Sequence, residues 1–141
     1  MQSDNIPIYK ISIGSGQIKI LTWSQMHGNE STTTKALFDF LNLLNSNSEL
    51  ANKLLNEFTF CCLPMLNPDG ALLYTRENAN NIDLNRDAQI LSQPESLVLK
   101  EAYNQFKADF CFNFCFRVYL KCKSPMNQRI NPNPKNPKPQ R

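Results

Sequence analysis

The stretch Ile18-Lys19-Ile20-Leu21-Thr22-Trp23, which runs on through Ser24-Gln25 into Met26-His27-Gly28-Asn29-Glu30, decides how this 141-residue chain folds. Its first six residues are rich in β-branched and apolar side chains and predict a strand. His27 is the only histidine in the chain, and it stands three residues before Glu30, where the strand gives way to a helix. That spacing lets an imidazole and a carboxylate converge on one point at the edge of a sheet.

The residues on either side of this stretch have their own periodicities. Ile8 to Ile13 alternate apolar and polar side chains, and Gly14-Ser15-Gly16 then turns the chain, which predicts a β-hairpin or two adjacent strands. After Glu30, the Ser-Thr run offers helix caps, and helical spacing follows in two successive segments. The apolar positions of those two predicted helices are Ala36, Leu37, Phe40, Leu41 and Leu44, then Leu50, Leu54, Leu55 and Phe58.

Two later apolar runs, 58–63 and 110–116, predict strands that are buried on both faces, as in a parallel sheet. Between them lie a polar loop, 67–89, and a third helix that begins at Gln93-Pro94-Glu95. The order β-β-α-α-β-α-β predicts an α/β fold with a mixed, largely parallel sheet flanked by helices.

Composition divides the chain in two. Residues 117–141 carry a charge of +7 with no Asp or Glu, whereas the preceding 116 residues carry −4. The end of this tail, residues 131–139, is rich in Pro, Asn and Lys and lacks interleaved aromatic residues, so we predict disorder rather than nucleic-acid binding. The predicted organisation is a folded region over 1–116 and a disordered basic tail over 117–141. No apolar run approaches the roughly 20 residues that span a bilayer, so no membrane partner is expected.

The five cysteines are an odd number, and the first residues show neither a basic nor an apolar signal segment. These observations predict reduced thiols and a cytoplasmic protein.

On its own, the His27–Glu30 pair could equally be a capping glutamate and an ordinary, partly exposed histidine. Three further motifs favour a metal site. They are Asn67-Pro68-Asp69-Gly70, Arg76 and Asn85-Arg86. A peptide's terminal carboxylate has two acceptor oxygens that match an arginine fork, and a neighbouring amide adds a donor. A second arginine near a metal can stabilise the oxyanion formed when water attacks a carbonyl. One such motif is weak, but four in this order are a strong signal.

Together these motifs, from about Ile18 to Asn113, resemble the zinc carboxypeptidases, the carboxypeptidase A-like family. The resemblance implies an incomplete carboxypeptidase-like catalytic domain that uses zinc to hydrolyse the C-terminal bond of a peptide with a free carboxylate. It implies that His27 and Glu30 are zinc ligands and that Arg76 polarises the scissile carbonyl. It implies that Asn85 and Arg86 bind the terminal carboxylate. N-acyl amino acid deacylases share similar motifs, so an acyl-amino-acid substrate is the close alternative.

The chain also departs from the family pattern. No histidine follows His27, although the family pattern has a second zinc histidine after a strand that resembles Phe110 to Phe114. Cys115 stands at that point; we expect a core cysteine there, with a substitute zinc ligand as the alternative. The family's general-base glutamate has no counterpart in 117–141. The abrupt change in composition near residue 117 suggests a truncation or a change of reading frame. The alternatives to an enzyme are a non-catalytic remnant with an anion site at Arg76 and Arg86, or a chain that does not fold alone.

Overall fold

A five-stranded mixed sheet forms the centre of the protein in the computed structural model, which describes residues 6–115 and 119–122. The strands are β1 (Ile11–Gly14), β2 (Ile18–Ser24), β3 (Phe58–Leu63), β4 (Phe110–Phe114) and β5 (Tyr119–Cys122). Their order across the sheet is β1-β3-β2-β4-β5, with β2 parallel to both β3 and β4 and the two edge strands antiparallel. This confirms the predicted α/β class with a mixed sheet.

The predicted hairpin between the first two strands is wrong, because β3 lies between β1 and β2. β1 pairs antiparallel with β3, with Ile11 opposite Cys62. The Gly-Ser-Gly segment crosses the start of β3 rather than closing a hairpin: Ser15 N donates to Leu55 O at 2.9 Å. A β-carbon on Gly16 would overlap the backbone at the end of α2 (Glu49–Glu57), so only glycine permits this crossing.

Helices cover both faces of the sheet. On one face, α1 (Ser31–Leu44) and α2 enclose a core of Leu37, Leu44, Phe60 and Cys62. On the other face, α5 (Pro94–Phe106) packs Leu99 and Ala102 against Leu21, Trp23, Cys61, Leu63 and Cys111. β2 contributes to the second core through alternate residues, which is the pleat expected of a strand with helices on both sides. The three predicted helices are therefore confirmed.

The stretch predicted as one long loop contains two short helices, α3 (Pro68–Leu73) and α4 (Leu84–Asp87). Each begins at a side-chain cap: Asn67 Oδ1 accepts from Gly70 N at 2.9 Å, and Asp83 Oδ1 accepts from Asn85 N at 2.9 Å. Both are shorter than two turns, so neither leaves a periodic apolar signal in the sequence.

The sheet continues past the predicted boundary at residue 116, because β5 pairs antiparallel with β4. The remainder of the predicted tail, 123–141, and its predicted disorder lie outside the described residues. Across the part of the chain that the structure describes, there is no helix with the length and apolarity needed to cross a bilayer.

Asp87 anchors the segment between α4 and α5. Its carboxylate is 2% exposed and accepts from Ser92 N at 3.0 Å, Ser92 Oγ at 2.6 Å and Gln93 N at 3.0 Å. Burial alone would raise the pKa of Asp87, but hydrogen bonds from the side chains of Ser92 and Ser96 and from these backbone groups outweigh it. The pKa therefore lies below its ordinary value of 3.8.

We expect Asp87→Asn to lower the free energy of unfolding by about 1–3 kcal/mol at neutral pH, because an amide N–H₂ would face a buried backbone N–H. Since the folded pKa is depressed, the carboxylate's contribution is complete above the unfolded pKa and is lost as the pH falls through the folded value. Urea unfolding of both proteins checks this: the difference between them should shrink from pH 7 towards pH 3. A constant difference would contradict the assignment. Exposed Asp39→Asn is the matched control.

Candidate functional site

The predicted site residues collect at the carboxyl edge of the three parallel strands. Trp23 of β2 lies opposite Leu63 of β3, and Ser24 lies opposite Phe114 of β4, so these three strands end together. The loops that follow them therefore meet at one edge, the usual place for a ligand site in an open α/β sheet.

The turn after β2 is fixed by buried hydrogen bonds. Gln25 has a positive φ of 48°, and its side-chain Nε2 donates to Gly28 O at 2.7 Å. Its Oε1 accepts from Thr34 Oγ1 of α1 at 2.7 Å. Glu30 is the residue before α1, so the turn delivers both His27 and Glu30 to the same side of the sheet edge.

The Asn67–Gly70 motif supports that turn directly. A β-carbon on Gly28 would overlap the backbone of Gly70 and Ala71, so the two glycine-containing turns are in backbone contact. The Asn67 side chain is fully buried and donates to Met26 O at 3.3 Å while it caps α3. Asn-Pro-Asp-Gly is thus a packing element beneath the site.

His27 is 2% exposed and has a carboxylate on each side of its ring. Its Nδ1 lies 3.0 Å from Glu30 Oε1, and its Nε2 lies 3.1 Å from Asp83 Oδ1. The expected proximity of His27 and Glu30 is therefore present. The sequence interpretation did not single out Asp83, which reaches His27 only in the folded structure.

Cys115 lies in the site, and its predicted place in the core is wrong. β4 ends at Phe114, one residue before it, and the Cys115 side chain is half-buried. Its Sγ lies 3.1 Å from Glu30 Oε2 and 3.7 Å from His27 Nδ1. One ligand atom each from His27, Glu30 and Cys115 lie within 4.8 Å of one another, which makes them a possible metal cluster among the described residues.

Asp83 connects the histidine to the arginines. Its Oδ2 accepts from Arg76 Nε at 3.2 Å and from Arg76 Nη2 at 3.1 Å. Burial alone would raise the pKa of Asp83, but hydrogen bonds from Asn85 N, Arg76 and His27, together with the charge of Arg76, outweigh it. The pKa is therefore below its ordinary value of 3.8, and the carboxylate is charged at neutral pH.

The two arginines differ in exposure. The Arg76 side chain is 42% exposed, and its Nη1 lies 3.7 Å from Glu30 Oε1, which places the guanidinium beside the cluster. The Arg86 side chain is 68% exposed, with Nε 4.0 Å from Asp83 Oδ2. Asn85 is half-buried at the start of α4. Arg76 therefore lies at the site, and Arg86 lies at its solvent-facing rim.

Comparisons with known proteins find a family match that covers most of the chain. The sequence pattern of the family described as zinc carboxypeptidase matches residues 3–132, so the match continues beyond the predicted boundary. A protein named probable carboxypeptidase 2, from Arthroderma benhamiae, is 34% identical over 90 residues. That alignment covers 62% of this chain and 17% of the relative. Carboxypeptidase SOL1 from Arabidopsis thaliana is 37% identical over 65 residues, covering 44% of this chain and 13% of the relative.

The fold has a counterpart among solved structures. A metallo-carboxypeptidase from Burkholderia cenocepacia superposes with a TM-score of 0.70 at 23% identity. The superposition covers 77% of this chain and 32% of that protein. The chain therefore spans about a sixth of the length of the first curated relative and about a third of that structural neighbour.

Proposed function

Since this chain belongs to the zinc carboxypeptidase family, we propose that its site serves zinc-dependent hydrolysis of the C-terminal bond of a peptide. The observation that carries the proposal is the environment of His27. One ring nitrogen faces Glu30, and the other faces the charged carboxylate of Asp83. A histidine that ligates a metal typically donates its second N–H to a carboxylate in this way.

The residues present fit zinc by their chemistry. Both ring nitrogens of His27 face carboxylate oxygens, so metal binding would select the tautomer: Nε2–H would donate to Asp83, and the lone pair of Nδ1 would bind the ion. Imidazole nitrogen and carboxylate oxygen are both normal zinc ligands, so His27 Nδ1 and Glu30 would hold the ion. When bound, zinc would supply Lewis-acid activation of water and of a substrate carbonyl.

The arginines would orient the substrate. Arg76 lies beside Glu30 and has its guanidinium positioned by Asp83, so it can donate to the oxygen that gains charge during attack on the carbonyl. Arg86 is exposed at the rim, where its fork and the Asn85 amide can bind a terminal carboxylate. This arrangement favours a substrate with a free carboxylate next to the scissile bond.

Zinc binding by the purified chain tests the proposal. We expect one zinc per chain by equilibrium dialysis, with binding lost in His27→Ala and retained in Asp39→Asn. A chain that binds no zinc would instead support the non-catalytic remnant. An N-acyl amino acid is the second ligand to compare with a blocked dipeptide, because deacylase chemistry needs the same free carboxylate. Tighter binding of the dipeptide by the zinc-loaded chain is the expected result.

We expect Asp83→Asn to weaken zinc binding by about 10- to 100-fold, the usual effect of losing a carboxylate that orients a ligating histidine. The amide keeps the size of the side chain but cannot favour the Nε2–H tautomer as a carboxylate does. Competition with a chromophoric chelator measures the affinity, and circular dichroism checks that the fold is kept. Unchanged affinity in a folded Asp83→Asn protein would contradict the role given to Asp83.

A further inference from the structure

Cys115 occupies a position that two independent features of the fold determine. β4 pairs in parallel with β2, with Phe114 opposite Ser24, so the residue after Phe114 is delivered beside the turn that follows Ser24. Cys115 N donates to Asn113 O at 3.0 Å, which bends the chain at the end of the strand. The result is a sulfur atom in contact with Glu30 and 3.7 Å from Nδ1 of His27, the ring nitrogen that also faces Glu30.

We propose that Cys115 is a thiolate metal ligand and completes a site made of one imidazole, one carboxylate and one thiolate. The proposal rests on the metal-binding role of His27 and Glu30 given above, and it extends that role to the residue that follows β4. Three protein ligands with one open position are the usual arrangement of a catalytic zinc site. The three ligand atoms already lie within 4.8 Å of one another.

The hydrogen bond at the cluster identifies what the metal replaces. Cys115 Sγ–H donates to Glu30 Oε2 at 3.1 Å. If His27, Glu30 and Cys115 held a divalent cation, the Cys115 thiol proton would leave to solvent, because a cysteine ligand must be deprotonated. The thiolate and the Glu30 carboxylate would then both hold the cation, and Arg76 would remain the positively charged neighbour of Glu30.

The ligand set also determines which ions the site accepts. A thiolate is a soft ligand and favours Zn²⁺, Co²⁺ and Cd²⁺, whereas Mg²⁺ and Ca²⁺ require oxygen ligands. We therefore expect Zn²⁺ to displace Co²⁺ from the chain and a large excess of Mg²⁺ to displace neither ion. A site made only of His27 and Glu30 would discriminate less strongly between these transition metals and Mg²⁺.

Cobalt substitution tests the thiolate directly, without any assay of hydrolysis. The full chain loaded with Co²⁺ is expected to show a sulfur-to-cobalt charge-transfer band in the near ultraviolet. Cys115→Ser should lose that band and weaken zinc binding by more than about 100-fold, beyond the usual effect of an outer-shell loss. Cys111→Ala and Cys122→Ser are the matched controls and should keep the band. Cys111 lies on β4, four residues before Cys115, and packs in the core.

A second variant at the same position tests the proposal even if Cys115→Ser fails to fold. Cys115→His should bind cobalt without the charge-transfer band, because an imidazole replaces the thiolate. Zinc should also protect Cys115 of the unmodified chain from iodoacetamide, as measured by peptide mass spectrometry. Cys61 and Cys62 do not interfere, since both are buried and burial raises the pKa of Cys62 to about 12.

The outcomes separate this inference from the proposed function. Cobalt bound through His27 with no charge-transfer band, or a band that persists in Cys115→Ser, overturns the role of Cys115 alone. A chain that binds no metal overturns both proposals. Loss of the band in Cys115→Ser, with the controls unchanged, establishes Cys115 as the third ligand.

Discussion

Purified as the 141-residue chain and loaded with zinc, the protein is expected to release an amino acid from a blocked dipeptide at least about 100-fold more slowly than a complete carboxypeptidase. Positioned general acid–base catalysis typically contributes 10²- to 10⁴-fold, and no described carboxylate at the site is available for it. Glu30 contacts His27, Arg76 and Cys115, and Asp83 contacts His27 and Arg76. Residues 117–141 contain no Asp or Glu.

The measurement is the time course of amino-acid release with zinc alone, chain alone and the loaded chain. His27→Ala removes a proposed zinc ligand. Asp39→Asn is the control, because it changes an exposed residue and leaves the charges at the site unchanged. Release at a rate within about 100-fold of that of a complete carboxypeptidase, if it disappears in His27→Ala but persists in Asp39→Asn, would contradict the prediction. It would show that a group already present accepts the proton from water.

Gly28→Ala is expected to destabilise the chain by about 3 kcal/mol and to abolish metal binding, because the added β-carbon would overlap backbone atoms of Gly70 and Ala71. The backbone at Gly70 cannot easily move away from the added β-carbon, because hydrogen bonds hold it in place. Gly70 N is bound by Asn67 Oδ1 at 2.9 Å, and Gly70 O accepts from Thr75 N at 2.8 Å. The turn that carries His27 must therefore move instead.

Urea unfolding and zinc competition measure the two effects of Gly28→Ala. Asn29→Ala is the matched control, since its side chain is exposed and its backbone N–H can still donate to Thr75 O. We expect that control to unfold and bind zinc as the unmodified chain does. Wild-type stability and zinc affinity in Gly28→Ala would show that the two turns are not in contact.

The main helices and strands could be predicted because the apolar residues of each follow one consistent helical or strand periodicity. The helices at 31–44, 49–57 and 94–106 and the buried strands at 58–63 and 110–114 all have one. The partner of β1 could not be predicted, since alternation identifies a strand but not its neighbour. Gly14 and Gly16 were the local signals, because both approach the start of β3 so closely that neither position admits a side chain.

The site was predicted as far as each residue had a recognisable motif. The spacing of His27 and Glu30 determined their proximity, which a local turn produces. The places of Asp83 and Cys115 in the site were harder to predict from the sequence. They are 56 and 88 residues away from His27, and only the tertiary fold brings them to it. Asp83 also caps α4, so helix capping already accounts for an aspartate at this position, and the sequence gives no separate sign of its contact with His27. The cytoplasmic location stays a prediction.

The central place of β2 between two parallel partners also determines how the chain must fold. Parallel strands cannot be joined by a tight turn, so each pairing of β2 requires closure of a long loop. The segment between β2 and β4 is about two and a half times as long as the segment between β2 and β3, which adds roughly 0.8 kcal/mol of closure entropy. Such non-local pairing slows folding. We therefore expect the turn at His27 and Glu30 to form early, whereas Cys115 reaches it only when the longest-range strand pairing is complete.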